Sequence, residues 1–155
     1  MSDDLIFLMG KFEARIPVDR RYFKNHMWAL EETHDGRSRL RCGLAAYAVR
    51  LLQDVYFLEW SLDPDARVAA KETMGMIESS KAESEIYSPC AGTLAGFNDV
   101  VLADPAAINV DKYGTGWLFD LHPSGEPALL SPEEYVEHLA GAWEIAQRTI
   151  KKQIQ

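Results

Sequence analysis

The residue with the clearest chemical setting in this sequence is Lys81. It lies in Gly75-Met76-Ile77-Glu78-Ser79-Ser80-Lys81-Ala82-Glu83-Ser84-Glu85-Ile86-Tyr87-Ser88-Pro89, where two strand-like pieces flank the small, polar run 79–84. That pattern predicts a β-hairpin with Lys81 at or near its exposed tip. Glu78, Glu83 and Glu85 put negative charge around the amine, which favours the ammonium form. A catalytic lysine needs the reverse, a buried setting that strips its proton. A lysine displayed in this way suits modification by another enzyme, although by residue type alone it is an ordinary solvated side chain.

Other side chains offer less. Cys42 and Cys90 are the only cysteines, too few for a disulfide framework and not spaced as a metal knuckle. Each reads first as a small buried thiol. A second chemistry, a redox pair trading electrons with a nearby group, requires the two sulfurs to lie close together. His26, His34, His122 and His138 form no His-x-x-x-His pair, so no metal site is expected. His26 and Trp28 are placed either near the lysine or in packing, with packing preferred.

These residues sit in 155 residues of ordinary apolar content, 47%, with a net charge of −8. That balance argues against nucleic acid, which needs clustered Lys and Arg, and against anionic membrane surfaces. No apolar run approaches the roughly 20 residues that span a bilayer. Asp3 and Asp4 stand where a secretory signal carries positive charge. A cytoplasmic, soluble protein is the expectation.

Short strands are expected at 39–44, 55–60, 75–80, 86–94 and 116–121, with a turn at Leu62-Asp63-Pro64-Asp65 and a helical turn or two over 45–52. Many short strands imply a mainly β sandwich or barrel. Residues 1–16 read as an N-terminal arm, extended or a short edge strand. The last segment, 131–155, reads as a helix packed on the rest. Ser131-Pro132-Glu133-Glu134 combines an N-cap serine, a first-turn proline and a capping-box glutamate. Val136, Leu139, Trp143, Ala146 and Ile150 then form one face, and Lys151 and Lys152 suit the negative end of the dipole. The surroundings of Cys42-Gly43 and Cys90-Ala91-Gly92 hint at two similar halves.

Gly75-Met76-Ile77-Glu78-Ser79-Ser80-Lys81-Ala82 resembles the lipoylation site of the glycine cleavage system H protein family, Gly-x-Val-Glu-Ser-Val-Lys-Ala. The resemblance continues through Tyr87-Ser88-Pro89-Cys90-Ala91-Gly92, through Asn109-Val110-Asp111-Lys112-Tyr113-Gly114-Thr115-Gly116-Trp117-Leu118, and upstream through Tyr22-Phe23-Lys24-Asn25-His26-Met27-Trp28 and Gly43-Leu44-Ala45-Ala46-Tyr47-Ala48. It covers roughly residues 17–140 and implies a lipoyl/biotinyl-type barrel-sandwich hybrid over 17–130 with a C-terminal helix. It implies lipoate in amide linkage on Lys81, a non-catalytic carrier whose arm visits partner enzymes, and a lipoate-attaching enzyme that reads Glu78, Ser79, Ser80, Ala82 and Glu83. Asn109, Tyr113, Gly114, Gly116 and Trp117 would build loop and core. Biotin carriers place their lysine between methionines, where this chain has Ser80 and Ala82. The lipoyl domains of oxoacid dehydrogenases show Asp-Lys-Ala and lack the Trp28 region and the C-terminal helix.

The chain departs from the family pattern at Met27 (Glu), Ala45 (Thr), Gln53 (Gly), Ser80 (Val) and in the 61–66 turn, and it has Cys42 and Cys90 at usually apolar positions. Those departures resemble the lipoate-binding proteins of sulfur-oxidising prokaryotes. On that resemblance the expected cargo is sulfur and the partner a heterodisulfide-reductase-like complex, ahead of an aminomethyl group and the glycine cleavage enzymes. A non-lipoylated binding module and a small thiol redox protein are the competing classes.

Overall fold

Alternation of apolar and polar residues resolves into three antiparallel sheets in the computed structural model, which describes residues 3–154 and their side chains through Arg148. β1 (Leu5–Met9) and β2 (Phe12–Ile16) form a hairpin of their own. A six-stranded sheet runs in the order β3 (Arg21–Tyr22), β4 (Met27–His34), β5 (Arg37–Leu44), β11 (Phe119–Pro123), β10 (Gly92–Phe97) and β7 (Arg67–Val68). A three-stranded sheet has β8 (Thr73–Ser79) between β6 (Val55–Trp60) and β9 (Glu83–Tyr87). The helices are α1 (Ala46–Leu52), the short α2 (Asp99–Ala103) and α3 (Ala107–Val110), and α4 (Pro132–Ile154). The fold is mainly β with a C-terminal helix.

Apolar side chains of the two larger sheets meet in the main core: Leu40, Cys42 and Leu44 from one, Leu58, Met74, Ile77 and Ile86 from the other, closed by Leu94, Phe119 and Leu121. Burial of this kind supplies about 25 cal/mol per Å² of apolar surface and dominates the stability of such a fold. A second core lies outside the six-stranded sheet, where Met9, Ala14 and Ile16 meet Tyr22, Trp28, Tyr47, Tyr135 and Leu139. Tyr22 and Tyr135 stack there with centroids 4.5 Å apart.

Trp28 ties the second core to the six-stranded sheet. It faces Gly43 across the β4–β5 ladder, and a Cβ at Gly43 would come within 2.6 Å of the indole. Only glycine lets the ring lie flat on the strand. The indole Nε1 donates to the Lys112 carbonyl at 2.9 Å, and the Arg20 guanidinium covers the ring at 4.6 Å.

Several local expectations hold and several are corrected. The capping box forms as read: Glu134 N–H donates to Ser131 Oγ at 3.1 Å, and Ser131 N–H to Glu134 Oε1 at 2.8 Å. Ile150, Lys151 and Lys152 fall outside the described side chains. The helix also buries Tyr135 beside Leu139, a position the apolar periodicity omitted. Residues 86–94 are two strands, because Pro89 has no N–H to give a ladder and Ser88 Oγ turns back to the Cys90 carbonyl at 2.7 Å. The strand expected over 116–121 begins only at Phe119, since Gly116 N–H is spent on the Asp111 carbonyl at 2.9 Å. Residues 5–16 form a hairpin of two strands with buried Met9, Ala14 and Ile16, the strand alternative of the two the sequence offered.

Two departures from the family pattern leave a mark on α1. Ala45 is its N-cap and has no side-chain hydrogen bond; the Tyr113 hydroxyl accepts from Ala46 N–H at 2.8 Å instead. Gln53, the C-cap, has φ 62 and ψ −132, a conformation natural to glycine and strained in glutamine. Gln53→Gly is therefore expected to raise stability by about 1 kcal/mol, the relief of strain exceeding the added chain entropy. Ser131→Ala, which removes a helix cap, is expected to lower it by about 1 kcal/mol. Urea midpoints of the two variants check both signs.

Candidate functional site

The β8–β9 hairpin carries the lysine where the sequence placed it. Ile77 pairs with Ser84 and Glu78 with Glu83, leaving residues 79–82 as the tip. No residue of that tip has positive φ, so the primed turns that favour hairpins are not used. The Ser79 side chain closes the turn instead. Its Oγ accepts from Ala82 N–H at 3.1 Å and Lys81 N–H at 3.3 Å, and donates to the Ala82 carbonyl at 3.1 Å; Ser79 N–H also reaches that carbonyl at 2.8 Å.

The tip is tied to the body next to it. Ser80 N–H donates to the Asp54 carbonyl at 2.9 Å, and Asp54 N–H donates to Ser80 Oγ at 3.1 Å. Asp54 is held in turn by Asn109 of α3, whose Oδ1 accepts from Val55 N–H at 2.9 Å and whose Nδ2 donates to the Gln53 carbonyl. Asn109 thus secures the segment on both sides of Asp54.

Lys81 itself is exposed, and among the described residues no carboxylate pairs with its ammonium. Glu78 and Glu83 stand directly opposite each other at the foot of the tip, a like-charge arrangement that costs stability. Glu85 is turned elsewhere and accepts the Tyr87 hydroxyl at 2.6 Å. Of the residues assigned to recognition, Ser80, Ala82 and Glu83 are exposed and Glu78 is half-buried. Ser79 is buried, so its part is to shape the turn rather than to be touched.

An apolar groove of about 390 Å³ runs along the hairpin. Residues 82–85 line one side. Leu44, Ala48, Leu51, Leu52 and Ile77 provide much of the remaining wall, and His26 and Met27 line its far end. A larger depression of about 480 Å³ shares Asn25 and Tyr87 with the groove but contains no residue of the tip. The groove draws on β4, β5, α1, β8 and β9, a convergence that no local spacing announced.

His26 belongs to both settings the sequence offered. It lines the groove and packs against Tyr47 at 4.6 Å and His138 at 5.6 Å between centroids. Burial, with His138 adding in the same direction, lowers its pKa to about 4. The neutral ring has a free lone pair, and the arrangement that satisfies both groups has the Tyr135 hydroxyl donating to Nδ1 at 3.0 Å.

Cys42 and Cys90 are free and buried in the main core. Burial pushes the Cys42 thiol well above its ordinary value, with Cys90 and Asp120 adding to the effect; burial raises Cys90 to about 11. The two are near enough to sense each other, yet both environments oppose the thiolate that exchange chemistry requires. Asn109 and Tyr113 brace loops, as read: the Tyr113 hydroxyl donates to the Arg15 carbonyl at 2.7 Å. Gly116 is packed so tightly that a Cβ would lie 2.6 Å from the Ala107 carbonyl.

Among the described residues no group of three His, Cys, Asp or Glu is arranged to hold a metal, and no helix is long and apolar enough to cross a membrane.

Two outcomes are expected from these environments. Both cysteines stay unreactive to a thiol reagent in the folded protein and titrate fully in denaturant; rapid native labelling would contradict the burial. His26 binds its proton more weakly folded than unfolded, so stability falls as pH drops from about 6.5, the unfolded value, toward 4. His26→Asn, which tolerates φ 72, should flatten that slope in urea midpoints measured between pH 7 and 5.

A sequence model described as "Glycine cleavage H-protein" matches residues 20–147. A glycine cleavage system H protein of Rubrobacter xylanophilus is 40% identical over 126 residues, spanning 81% of this chain and 96% of that protein. One from Stenotrophomonas maltophilia is 35% identical over 129 residues, spanning 81% and 95%. Among solved structures, the crystal structure of a glycine cleavage system H protein from Mycobacterium marinum superposes with a TM-score of 0.70 at 33% identity, over 81% of this chain and 99% of that one.

Proposed function

The chain belongs to the glycine cleavage H-protein family, and from that membership we propose that it carries a lipoyl group on Lys81 and presents it to the enzymes of the glycine cleavage system. The observation that carries the reading is the position of Lys81, exposed on a tip closed by Ser79 and tied down through Ser80, in a segment that matches the family's lipoylation motif.

The residues present fit such a group. The amine is open to an attaching enzyme, and Leu51, Leu52, Ala48 and Ile77 line an apolar groove beside the tip that would hold an alkyl arm out of water. When bound, a lipoyl group supplies a dithiol–disulfide couple at the end of a long tether. The chain's own residues do positional work. Ser79 shapes the turn, Asp54 and Asn109 fix where the tip stands, and the exposed Ser80, Ala82 and Glu83 face an attaching enzyme. The protein is a carrier and catalyses nothing itself. Work in a reducing cytoplasm accords with its two free thiols.

The sulfur-carrying role, which the sequence departures put first, gains no support from the relatives. The proteins named above are glycine cleavage system H proteins, and none is named for a heterodisulfide-reductase-like complex. The glycine cleavage alternative takes its place. The departures at Met27 and Ala45 are buried, and the one at Gln53 is paid for in backbone strain. These three belong to this chain's own packing and backbone, whereas the departure at Ser80 is exposed beside Lys81.

Intact mass of the protein from its native host, with peptide mapping around Lys81, is expected to show a lipoyl-sized addition on that residue. An unmodified Lys81 in cells that lipoylate other proteins would overturn the carrier reading. Lys81→Arg should abolish turnover in a reconstituted glycine cleavage assay while changing stability by less than about 0.5 kcal/mol, as surface substitutions do. If the lipoylated protein fails to support glycine cleavage with active partner enzymes, the carrier stands and its assignment to glycine falls.

A further inference from the structure

The strands that precede the family match carry an unused edge. The match begins at residue 20, and β1 and β2 lie wholly before it. Their two-residue turn opens with Gly10 at φ 64 and continues with Lys11, the type II′ pattern that makes the flanking Met9 and Phe12 a hydrogen-bonded pair. The alternation of an antiparallel ladder then assigns every other group. Met9, Phe7 and Leu5 spend their N–H and C=O groups on Phe12, Ala14 and Ile16, and those of Ile6 and Leu8 point away from β2.

Among the described residues nothing takes up that outward row. β1 pairs with no strand other than β2, and no backbone group from another segment bonds to residues 5–9. The side chains at the same two positions are exposed, Ile6 by 47% and Leu8 by 58%, while Leu5, Phe7 and Met9 turn to the second core. An apolar edge strand with open hydrogen-bonding groups is a template for another strand.

We propose that this edge pairs antiparallel with β1 of a second copy of the chain, about a two-fold axis at Phe7. That register sets Ile6 opposite the partner's Leu8, and Leu8 opposite the partner's Ile6. Each pair exchanges two backbone hydrogen bonds, so all the outward N–H and C=O groups of Ile6 and Leu8 are satisfied at once. The match is to itself rather than to an arbitrary strand for two reasons. Leu5-Ile6-Phe7-Leu8-Met9 holds no charge, so a protein of net charge −8 brings no like charges together there. The neighbouring strand places Arg15, itself paired with Asp4 at 3.1 Å, beside Ile6 and Glu13 beside Leu8, so no row across the joined sheet sets like charges at its two ends. The pair would carry two Lys81 hairpins, but the inference does not rest on what Lys81 carries.

So short an edge makes a small interface, of the kind that associates weakly. Sedimentation equilibrium of the full chain, from dilute solution to about 1 mM, the scale of weak association, is expected to show the average mass rising from 17.5 kDa toward twice that value. Hydrogen exchange at the Ile6 and Leu8 amides should slow over the same range. Ile6→Lys with Leu8→Lys should hold the protein at the monomer mass with an unchanged circular dichroism spectrum. If that variant fails to fold, Leu8→Pro makes the same test, because it deletes an N–H that the hairpin itself does not use. A monomer at every concentration overturns the proposal. So does a dimer that survives these substitutions, or one whose Ile6 and Leu8 amides exchange as fast as in dilute solution.

Discussion

The pair of hydrogen bonds between Asp54 and Ser80 is what the rest of the site depends on. β6 pairs with β8 up to Val55 opposite Ser79, and the Asp54–Ser80 bonds carry that hold one residue further, past the ladder and onto the tip. Ser80 is the first residue past the ladder, and Asp54 reaches it from the segment that follows α1. Asn109 fixes that segment from α3. The position of Lys81 is thus determined by residues 27 places before it and 28 after it in the chain, through bonds made largely by backbone groups.

Strain accumulates around the same place. Gln53 has φ 62 and His26 has φ 72. Gln53 feeds the bond to the tip, and His26 lines the groove beside it. Non-glycine residues hold such angles only where their surroundings dictate them. At Gln53 the surroundings are Asn109 and the end of α1; at His26 they are Tyr47, Tyr135 and His138. The second core, which contains Tyr47 and Tyr135, therefore does more than bury surface: it holds one wall of the groove in shape.

What the sequence disclosed followed the range of the interactions involved. The hairpin over 75–87 and the capping box at Ser131 are local, and their residues read correctly because turn and cap chemistry is decided within a few positions. Strand limits at 86–94 and 116–121 misread where a side chain or a loop claimed a backbone group, as Ser88 and Asp111 do. The first sixteen residues looked like an arm because their apolar partners, α1 and α4, are more than thirty and more than a hundred residues away. The groove was illegible for the same reason. Ser79 shows a finer limit: its place at the tip and the family resemblance suggested contact with an attaching enzyme, whereas its hydroxyl is consumed in closing the turn.

The closed, anchored tip has a consequence for search. Because Ser79 and Ser80 hold the backbone on either side, motion of anything attached at Lys81 begins in its side chain and not in the loop. The attached group then explores a shell about one stationary pivot instead of the larger volume a floppy loop would sweep. Its effective concentration at a docked enzyme is set by that radius alone. On the proposed function, a partner's reaction centre would have to come within one arm's length of a tip that these bonds tie to the body of the protein.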